Sequence, residues 1–225
     1  MKNEETKIQA YKDILRKNMI EYTVKAFQML PKVDKPNILD IGCGSGIPTL
    51  ELVSLSDGQI TGLDINQTLL NRLERKIKKA GLSARVKIIN CSILDMDFPD
   101  ESFDIIWAEG SVSAIGFDKG LTEWRRFIKK GGFLAIHDEV GNLAEKLKQI
   151  PRCGYDLLDH FILSEDIWWD GYYAPLEKKL DKIQAKSADD PETLAALDKD
   201  RMFIKTFKQD PKLYRSVFFI MKKSD

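Results

Sequence analysis

The sequence lacks the features that mark membrane-spanning, disulfide-linked and strongly charged proteins. No apolar run approaches the length needed to cross a bilayer, and the N-terminus has no secretory apolar segment. The three cysteines are an odd number, and their spacing fits neither a disulfide framework nor a zinc site. We therefore expect reduced thiols, no bound metal and a cytoplasmic location. The 35 basic and 35 acidic residues cancel, which disfavours a nucleic-acid partner.

The composition predicts one globular domain. The chain has 225 residues, of which 43% are apolar and 31% charged, and its sequence contains no internal repeat. We expect a single domain over residues 1–225, with no membrane partner. The oligomeric state stays open, with a homodimer as one candidate.

The stretch Asn37–Leu50 is the most informative part of the chain. It reads N-I-L-D-I-G-C-G-S-G-I-P-T-L, which predicts a buried strand, a glycine turn and the start of a helix. Pro48 suits the first turn of that helix, where a missing N–H costs nothing. Glycines allow backbone to approach a ligand closely, and a helix N-terminus offers free N–H groups. The stretch therefore predicts a binding site at the carboxyl end of a parallel strand.

The glycine spacing distinguishes two kinds of nucleotide site. A dinucleotide fingerprint would place its third glycine at position 47, which is Ile47. The pattern here is D-x-G-x-G-x-G, and it resembles motif I of the class I S-adenosylmethionine (SAM) dependent methyltransferases. That resemblance implies SAM as cofactor, with its amino-acid end over the turn. The cofactor-binding residues it implies in the turn are Asp40, Gly42, Cys43, Gly44 and Gly46.

An acidic residue follows the second predicted strand. Asp64 lies 22 positions after Gly42, a spacing that suits an acceptor for ribose hydroxyls. The alternative is that Asp64 caps the next helix, but Asn66 is available as that cap. Ile65 is included in the cofactor site. The helix itself, predicted over 67–80, carries Lys and Arg side chains that we interpret as a solvated face.

The third strand ends where the resemblance places the adenine contact. The downstream run M-D-F-P-D-E-S-F-D fits the family, and alignment from it puts Ser92 at the position usually held by Asp. Cys91 stands at the usual Gly. A hydroxyl is a weaker acceptor than a carboxylate, so we expect Ser92 and backbone groups at Ile93 to share adenine recognition.

Three polar residues follow the fourth and fifth strands, at the strand ends that line a ligand crevice. Glu109 is a candidate for polar chemistry near the methyl group, or for holding a loop or the cofactor's ammonium. His137 and Asp138 are further candidates for a substrate or base role, although a lone histidine is more often structural. Between them we predict a helix over 118–130, ended by Gly131 and Gly132, and a fifth strand from Phe133.

An aromatic segment lies late in the chain. It predicts a lid that lines the substrate pocket, or alternatively a surface that docks an inserted helical segment on the core. Its four candidate substrate-binding residues are Trp168, Trp169, Tyr172 and Tyr173. Two helices should follow, the second capped by Asp190.

The resemblance covers residues 36–140 and implies an α/β fold: a Rossmann-like, doubly wound, seven-stranded, mostly parallel sheet with an antiparallel last strand. An N-terminal helical cover (1–35) and a helical lid insertion before the last strand (164–210) complete it. The type 11 and type 25 small-molecule methyltransferases are the most similar branch. We expect SAM-dependent methyl transfer to a small-molecule acceptor by in-line displacement. A non-catalytic SAM-binding protein and a nicotinamide-dependent oxidoreductase are the alternatives.

Overall fold

A computed structural model describes residues 2–186 and 191–225. The helices are α1 (Lys2–Asn18), α2 (Ile20–Gln28), α3 (Ile47–Leu55), α4 (Gln67–Lys79), α5 (Phe117–Trp124), α6 (Leu143–Arg152), α7 (Glu165–Trp168), α8 (Ala174–Lys186) and α9 (Pro191–Gln209). The strands are β1 (Asn37–Ile41), β2 (Gln59–Asp64), β3 (Val86–Asn90), β4 (Phe103–Glu109), β5 (Ile128–Glu139), β6 (Tyr155–Leu163) and β7 (Ser216–Lys223). The predicted cap Asp190 lies outside the described residues.

The strands form one sheet in the order β3-β2-β1-β4-β5-β7-β6. The neighbours from β3 to β5 pair in parallel, and the last strand is antiparallel, which confirms the predicted fold. The order reverses beside β1, so the crevice between the carboxyl ends of β1 and β4 is the switch point where ligands bind in such sheets. The glycine turn follows β1 directly.

The sheet buries apolar side chains on both faces, as a parallel sheet between helices must. On one face Leu39, Ile106 and Ile136 pack with Leu121 and Trp124 of α5. On the other face Phe27 of α2 packs against Trp107, with ring centroids 6.1 Å apart. These strands are therefore held between helix layers.

The structure separates into two compact units. The sheet unit comprises residues 21–162 and 217–225. The helical unit combines residues 2–20 with 163–216, so α1 packs with α8 and α9 through Ile8, Leu15, Leu180 and Ile204. The N-terminal helical segment is two helices rather than one, because the chain breaks at Met19 and α2 belongs to the sheet unit. The single methyltransferase domain over 1–225 stays a prediction.

The predicted helix over 118–130 is wrong in its second half. Helix α5 ends at Trp124, a short 3₁₀ turn spans Arg125–Phe127, and β5 begins at Ile128. Gly131 and Gly132 lie inside β5, where the pairing with β4 is irregular. A Cβ on Gly132 would lie 2.8 Å from the carbonyl oxygen of Asp104. These glycines therefore permit close approach of two strands and do not end a helix.

Candidate active site at the carboxyl ends of the central strands

The glycine turn is fixed to the neighbouring strand by its own backbone. The N–H groups of Gly42 and Cys43 both donate to the carbonyl oxygen of Leu63, at 2.8 and 2.9 Å. Gly42, Gly44 and Gly46 all have positive φ, between 53° and 81°, a region that side-chain-bearing residues rarely adopt. Helix α3 then begins at Ile47, with Pro48 in its first turn as predicted.

The three glycines have different surroundings. A Cβ on Gly42 would lie 2.5 Å from Cβ of Ser111, and one on Gly46 would lie 2.1 Å from Cδ1 of Leu73. The nearest atoms to a Cβ on Gly44 are 3.8 Å away in Leu69 and 4.0 Å away in the Asp64 carboxylate. Gly42 and Gly46 are therefore needed for packing within the protein. Gly44 leaves open space beside a carboxylate, which is the part of the turn that a ligand can lie against.

Asp64 connects the second strand to the glycine turn. Its Oδ2 accepts a hydrogen bond from the N–H of Gly44 at 2.9 Å, and its Oδ1 accepts one from the N–H of Asn66 at 2.7 Å. The cap of α4 is Asn66, whose side chain accepts from the N–H of Leu69. An ionised carboxylate has about four acceptor sites, so these two bonds leave capacity for two ribose hydroxyls.

Helix α4 packs against the glycine turn and donates a hydrogen bond to its backbone. Leu73 packs under Gly46, and one turn later Nζ of Lys76 donates to the carbonyl oxygen of Ser45 at 2.8 Å. The interpretation of the basic residues of α4 as a solvated face is therefore wrong for Lys76, which is half-buried. Its contact depends on a partner 31 residues away, so the helical period alone could not reveal it.

Asn90 is a site residue that the sequence analysis missed. It is the register partner of Asp64 in the β2–β3 pair. Its Nδ2 donates to the carbonyl oxygens of Asp64 and Ile65, at 3.0 and 2.9 Å. This amide fixes the backbone that carries the predicted ribose acceptor. An amide at the last position of an apolar strand was the available signal.

The predicted adenine contacts lie around the next turn. The Ser92 hydroxyl oxygen accepts from the N–H of Leu94 at 3.1 Å, so it orders the turn after β3. Ile65 is 72% exposed, whereas Ile93 packs partly against the core. An exposed isoleucine beside Asp64 offers the apolar surface that a base requires.

Asp40 is a buried carboxyl group under the turn. It is 2% exposed, and its Oδ2 accepts from the Thr49 hydroxyl at 2.6 Å. Burial raises the pKa of Asp40 to about 7; the Thr49 bond opposes this shift, and the neighbouring Glu109 and Asp64 carboxylates add to it. The buried thiol of Cys43 likewise has a raised pKa, chiefly from burial, so it stays protonated and its role in the turn is structural.

Glu109 and His137 lie side by side at the ends of β4 and β5. They are register partners in a parallel pair, so their side chains are on the same face of the sheet. Oε1 of Glu109 accepts from the Thr23 hydroxyl and from Nε1 of Trp107, each at 2.8 Å. The His137 ring is buried and stacks on Phe218, with centroids 4.3 Å apart.

Asp138 is on the opposite face, since side chains alternate along a strand. Its Oδ2 accepts from Nζ of Lys146 of α6 at 2.6 Å, and both side chains are largely buried. The structure thus brings Glu109 and His137 together and places Asp138 in a separate ion pair. The pair lies beside Phe117, over whose ring the Lys146 ammonium sits.

The four predicted substrate-binding aromatics form a packed cluster in the helical unit. Trp169–Tyr173 is a π-helical turn, a geometry often found at functional positions. Trp169 stacks on Phe207 at 5.3 Å, and Tyr173 contacts both Phe207 and Tyr214. Nε1 of Trp168 donates to the Ser216 hydroxyl. Burial raises the pKa of Tyr172 to about 12, so its hydroxyl is protonated at neutral pH.

The described ranges, 2–186 and 191–225, hold neither a metal-binding cluster nor a membrane-spanning helix. They contain no cluster of three or more His, Cys, Asp or Glu side chains arranged to hold a metal ion. Within the same part of the chain, no helix combines the length and apolar character needed to cross a membrane.

Residues 38–132 match a family model described as a methyltransferase domain. A sterol 24-C-methyltransferase of Gibberella zeae is 36% identical over 102 residues, which cover 45% of this chain and 27% of that protein. The chain spans between 27% and 47% of the length of the first curated relatives that it matches.

Solved structures share the fold at low sequence identity. A SAM-dependent methyltransferase from Geobacter sulfurreducens, in complex with S-adenosyl-L-homocysteine, has a TM-score of 0.75 and 17% identity over 90% of each chain. The [4+2]-cyclase SpnF also has a TM-score of 0.75, with 20% identity over 91% of this chain and 80% of that chain. Residues 38–132 are thus similar to a methyltransferase domain, and the sheet order and the glycine turn agree with the fold of class I SAM-dependent methyltransferases.

Proposed function

We propose that the chain transfers the methyl group of SAM to a small-molecule acceptor. The observation that carries the proposal is the link between Gly44 and Asp64. The turn leaves space above Gly44, and the Asp64 carboxylate borders that space while bonded to the Gly44 N–H. A ligand with vicinal hydroxyls and a polar tail suits this combination of acceptor and open backbone.

The remaining predicted cofactor contacts fit the same ligand. Ile65 and Ile93 offer apolar surface for a base, and Ser92 and Asn90 order the backbone between them. The acidic groups Asp40 and Glu109 suit a ligand that carries positive charge. Their roles in binding are proposals that mutation can test.

SAM, when bound, supplies a methyl group on a sulfonium that is already a good leaving group. The protein's residues then have to align the acceptor and exclude water. Glu109 and His137 share one face at the strand ends, so either can take a proton from an acceptor that arrives protonated. We assign Trp168, Trp169, Tyr172 and Tyr173 to acceptor recognition. Tyr and Trp suit surfaces that are both apolar and polar.

We also propose a small-molecule acceptor and a cytoplasmic location for the protein. The sterol methyltransferase relative acts on a small molecule by its name, and the balanced charge of this chain disfavours nucleic acid. Three free cysteines suit a reducing, cytoplasmic compartment.

The test is calorimetric binding of SAM and S-adenosylhomocysteine to the wild type and to Asp64→Ala, followed by an acceptor screen with a labelled methyl donor. Binding lost in the variant, together with label transfer, is the expected result. Wild type that binds neither compound contradicts the proposal. Binding without transfer to any acceptor favours the non-catalytic alternative.

A further inference from the structure

Helix α2 contributes a buried hydroxyl to the site. Thr23 is 3% exposed, and its Oγ1 donates to Oε1 of Glu109 at 2.8 Å. The same oxygen accepts from Nε1 of Trp107, also at 2.8 Å. Two donors from separate elements therefore converge on one carboxylate oxygen, 86 residues along the chain from Thr23.

The convergence restricts how the Glu109 carboxylate can turn. A β-branched side chain has few rotamers in a helix, and burial holds Thr23 in one of them. Phe27, one helical turn after Thr23, packs on the Trp107 ring. The same face of α2 thus contacts both the carboxylate and the indole that orient each other.

The negative charge around Glu109 indicates which kind of ligand group its carboxylate would bind. Asp40, on the strand next to β4, is near enough to Glu109 and to Asp64 that both carboxylates disfavour its charged form. Carboxylates gathered at the end of a sheet repel one another, and a cationic ligand group between them relieves that repulsion.

We propose that Thr23 is a positioning residue, which holds Glu109 where its carboxylate pairs with a positively charged group of the ligand bound at the glycine turn. The inference rests on the proposed function and deepens it, because it names the part of the cofactor that Glu109 recognises. In this proposal Thr23 acts on the ligand only through Glu109.

Three ligands separate this role from a merely structural one. SAM carries both a sulfonium and an ammonium group, and S-adenosylhomocysteine keeps only the ammonium. 5′-Methylthioadenosine has the same nucleoside and neither cation. If Thr23 acts through Glu109 on a cation, removing its hydroxyl weakens the binding of the cationic ligands and leaves the binding of 5′-methylthioadenosine unchanged.

The experiment measures calorimetric binding of the three ligands to the full chain and to Thr23→Val, which keeps the shape and removes the donor. We expect Thr23→Val to weaken SAM binding about 10- to 100-fold, as for loss of one hydrogen bond to a charged group. 5′-Methylthioadenosine should bind as to wild type. Thr23→Ser keeps the donor and should bind SAM as wild type does. Thr122→Val is the matched control, because Thr122 is an exposed helical threonine of α5.

The behaviour of S-adenosylhomocysteine identifies the cation. If Thr23→Val loses as much affinity for S-adenosylhomocysteine as for SAM, the ammonium is the partner of Glu109. If it loses affinity for SAM alone, the sulfonium is the partner. In a Glu109→Gln background, Thr23→Val should have little further effect, since its action passes through Glu109.

Two results overturn the inference while the proposed function stands: equal weakening of all three ligands, or unchanged SAM binding in Thr23→Val. Thermal melting separates either from misfolding, and Thr23→Ser supplies a second readout if the valine variant does not fold. Failure of the wild type to bind SAM overturns the proposed function, and the inference with it.

Discussion

The N–H of Gly44 donates to Oδ2 of Asp64 at 2.9 Å, so the two parts of the candidate cofactor site are bonded directly to each other. The turn after β1 and the end of β2 thus form one rigid surface. Preorganisation of this kind reduces the entropy lost when a ligand binds.

Replacing Asp64 should cost more affinity than stability. We expect Asp64→Asn to weaken SAM binding about 10- to 100-fold, because an amide offers one acceptor atom where the carboxylate offers two. Calorimetry measures the affinity. Asn66→Ala is the control: it removes the α4 cap at a stability cost of about 1 kcal/mol and keeps the carboxylate. Equal affinity losses in both variants would contradict a direct role for Asp64.

Substitution of two glycines of the turn should affect different properties, stability at Gly46 and SAM affinity at Gly44. Gly46→Ala places a methyl group against Leu73 at positive φ, so we expect a loss of unfolding free energy of about 2–4 kcal/mol. Gly44→Ala meets no protein atom closer than 3.8 Å, so it should lose only about 1–2 kcal/mol, the cost of positive φ.

Gly44→Ala should lose more affinity for SAM than Gly46→Ala does, because its methyl group enters the open space beside the turn. Gly81 also has positive φ, 69° against 53° for Gly44, and a Cβ there would meet nothing within 4 Å, so Gly81→Ala serves as the control. Denaturation and calorimetry on the three variants make the comparison. SAM affinity in Gly44→Ala that matches Gly81→Ala would show that the ligand lies elsewhere.

The buried Asp40 predicts a fall in stability with rising pH. Its folded-state pKa of about 7 lies above the ordinary value of 3.8, so the unfolded chain releases this proton first as the pH rises. The unfolded state therefore binds fewer protons between those two values, and the unfolding free energy decreases there. Asp40→Asn, which does not titrate, should be more stable than wild type at pH 8 by roughly 1–3 kcal/mol, but not at pH 4.

Urea denaturation at a series of pH values tests this expectation. Thr49→Val removes the hydrogen bond that opposes the shift, so the fall should extend to higher pH in that variant. A wild type and an Asp40→Asn variant with parallel pH profiles would be inconsistent with a raised pKa at this position.

The Asp138–Lys146 pair predicts a structural role for Asp138. Lys146→Met leaves a buried carboxylate without its cation, and we expect it to destabilise the fold by about 3–5 kcal/mol. The double variant Asp138→Asn with Lys146→Met should recover part of that loss, which thermal melting or urea denaturation measures. Once an acceptor is known, a lower rate per folded molecule of Asp138→Asn would instead support the catalytic prediction.

Local sequence was sufficient for the parts of the site that lie close together along the chain. The strand, glycine turn and helix of residues 37–50, the acid at 64 and the cap at 66 all follow from propensity, spacing and turn chemistry. It was insufficient at residues 125–132. There Ile128 continues the stripe of a helix, and only close approach to β4 shows that the glycines belong to a strand.

The sequence by itself determined the strand, glycine turn and helix of residues 37–50, because hydrophobic periodicity and backbone preference act over a few neighbouring residues. The seven-stranded fold and SAM as the ligand came from the resemblance of the glycine turn to motif I of the class I methyltransferases. The tertiary structure alone decided which distant side chains meet. It paired Thr23 with Glu109, Lys76 with Ser45 and Asn90 with Asp64, and it put His137 beside Glu109. Such contacts depend on strand order and register, which are set by packing of the whole sheet rather than by any one segment.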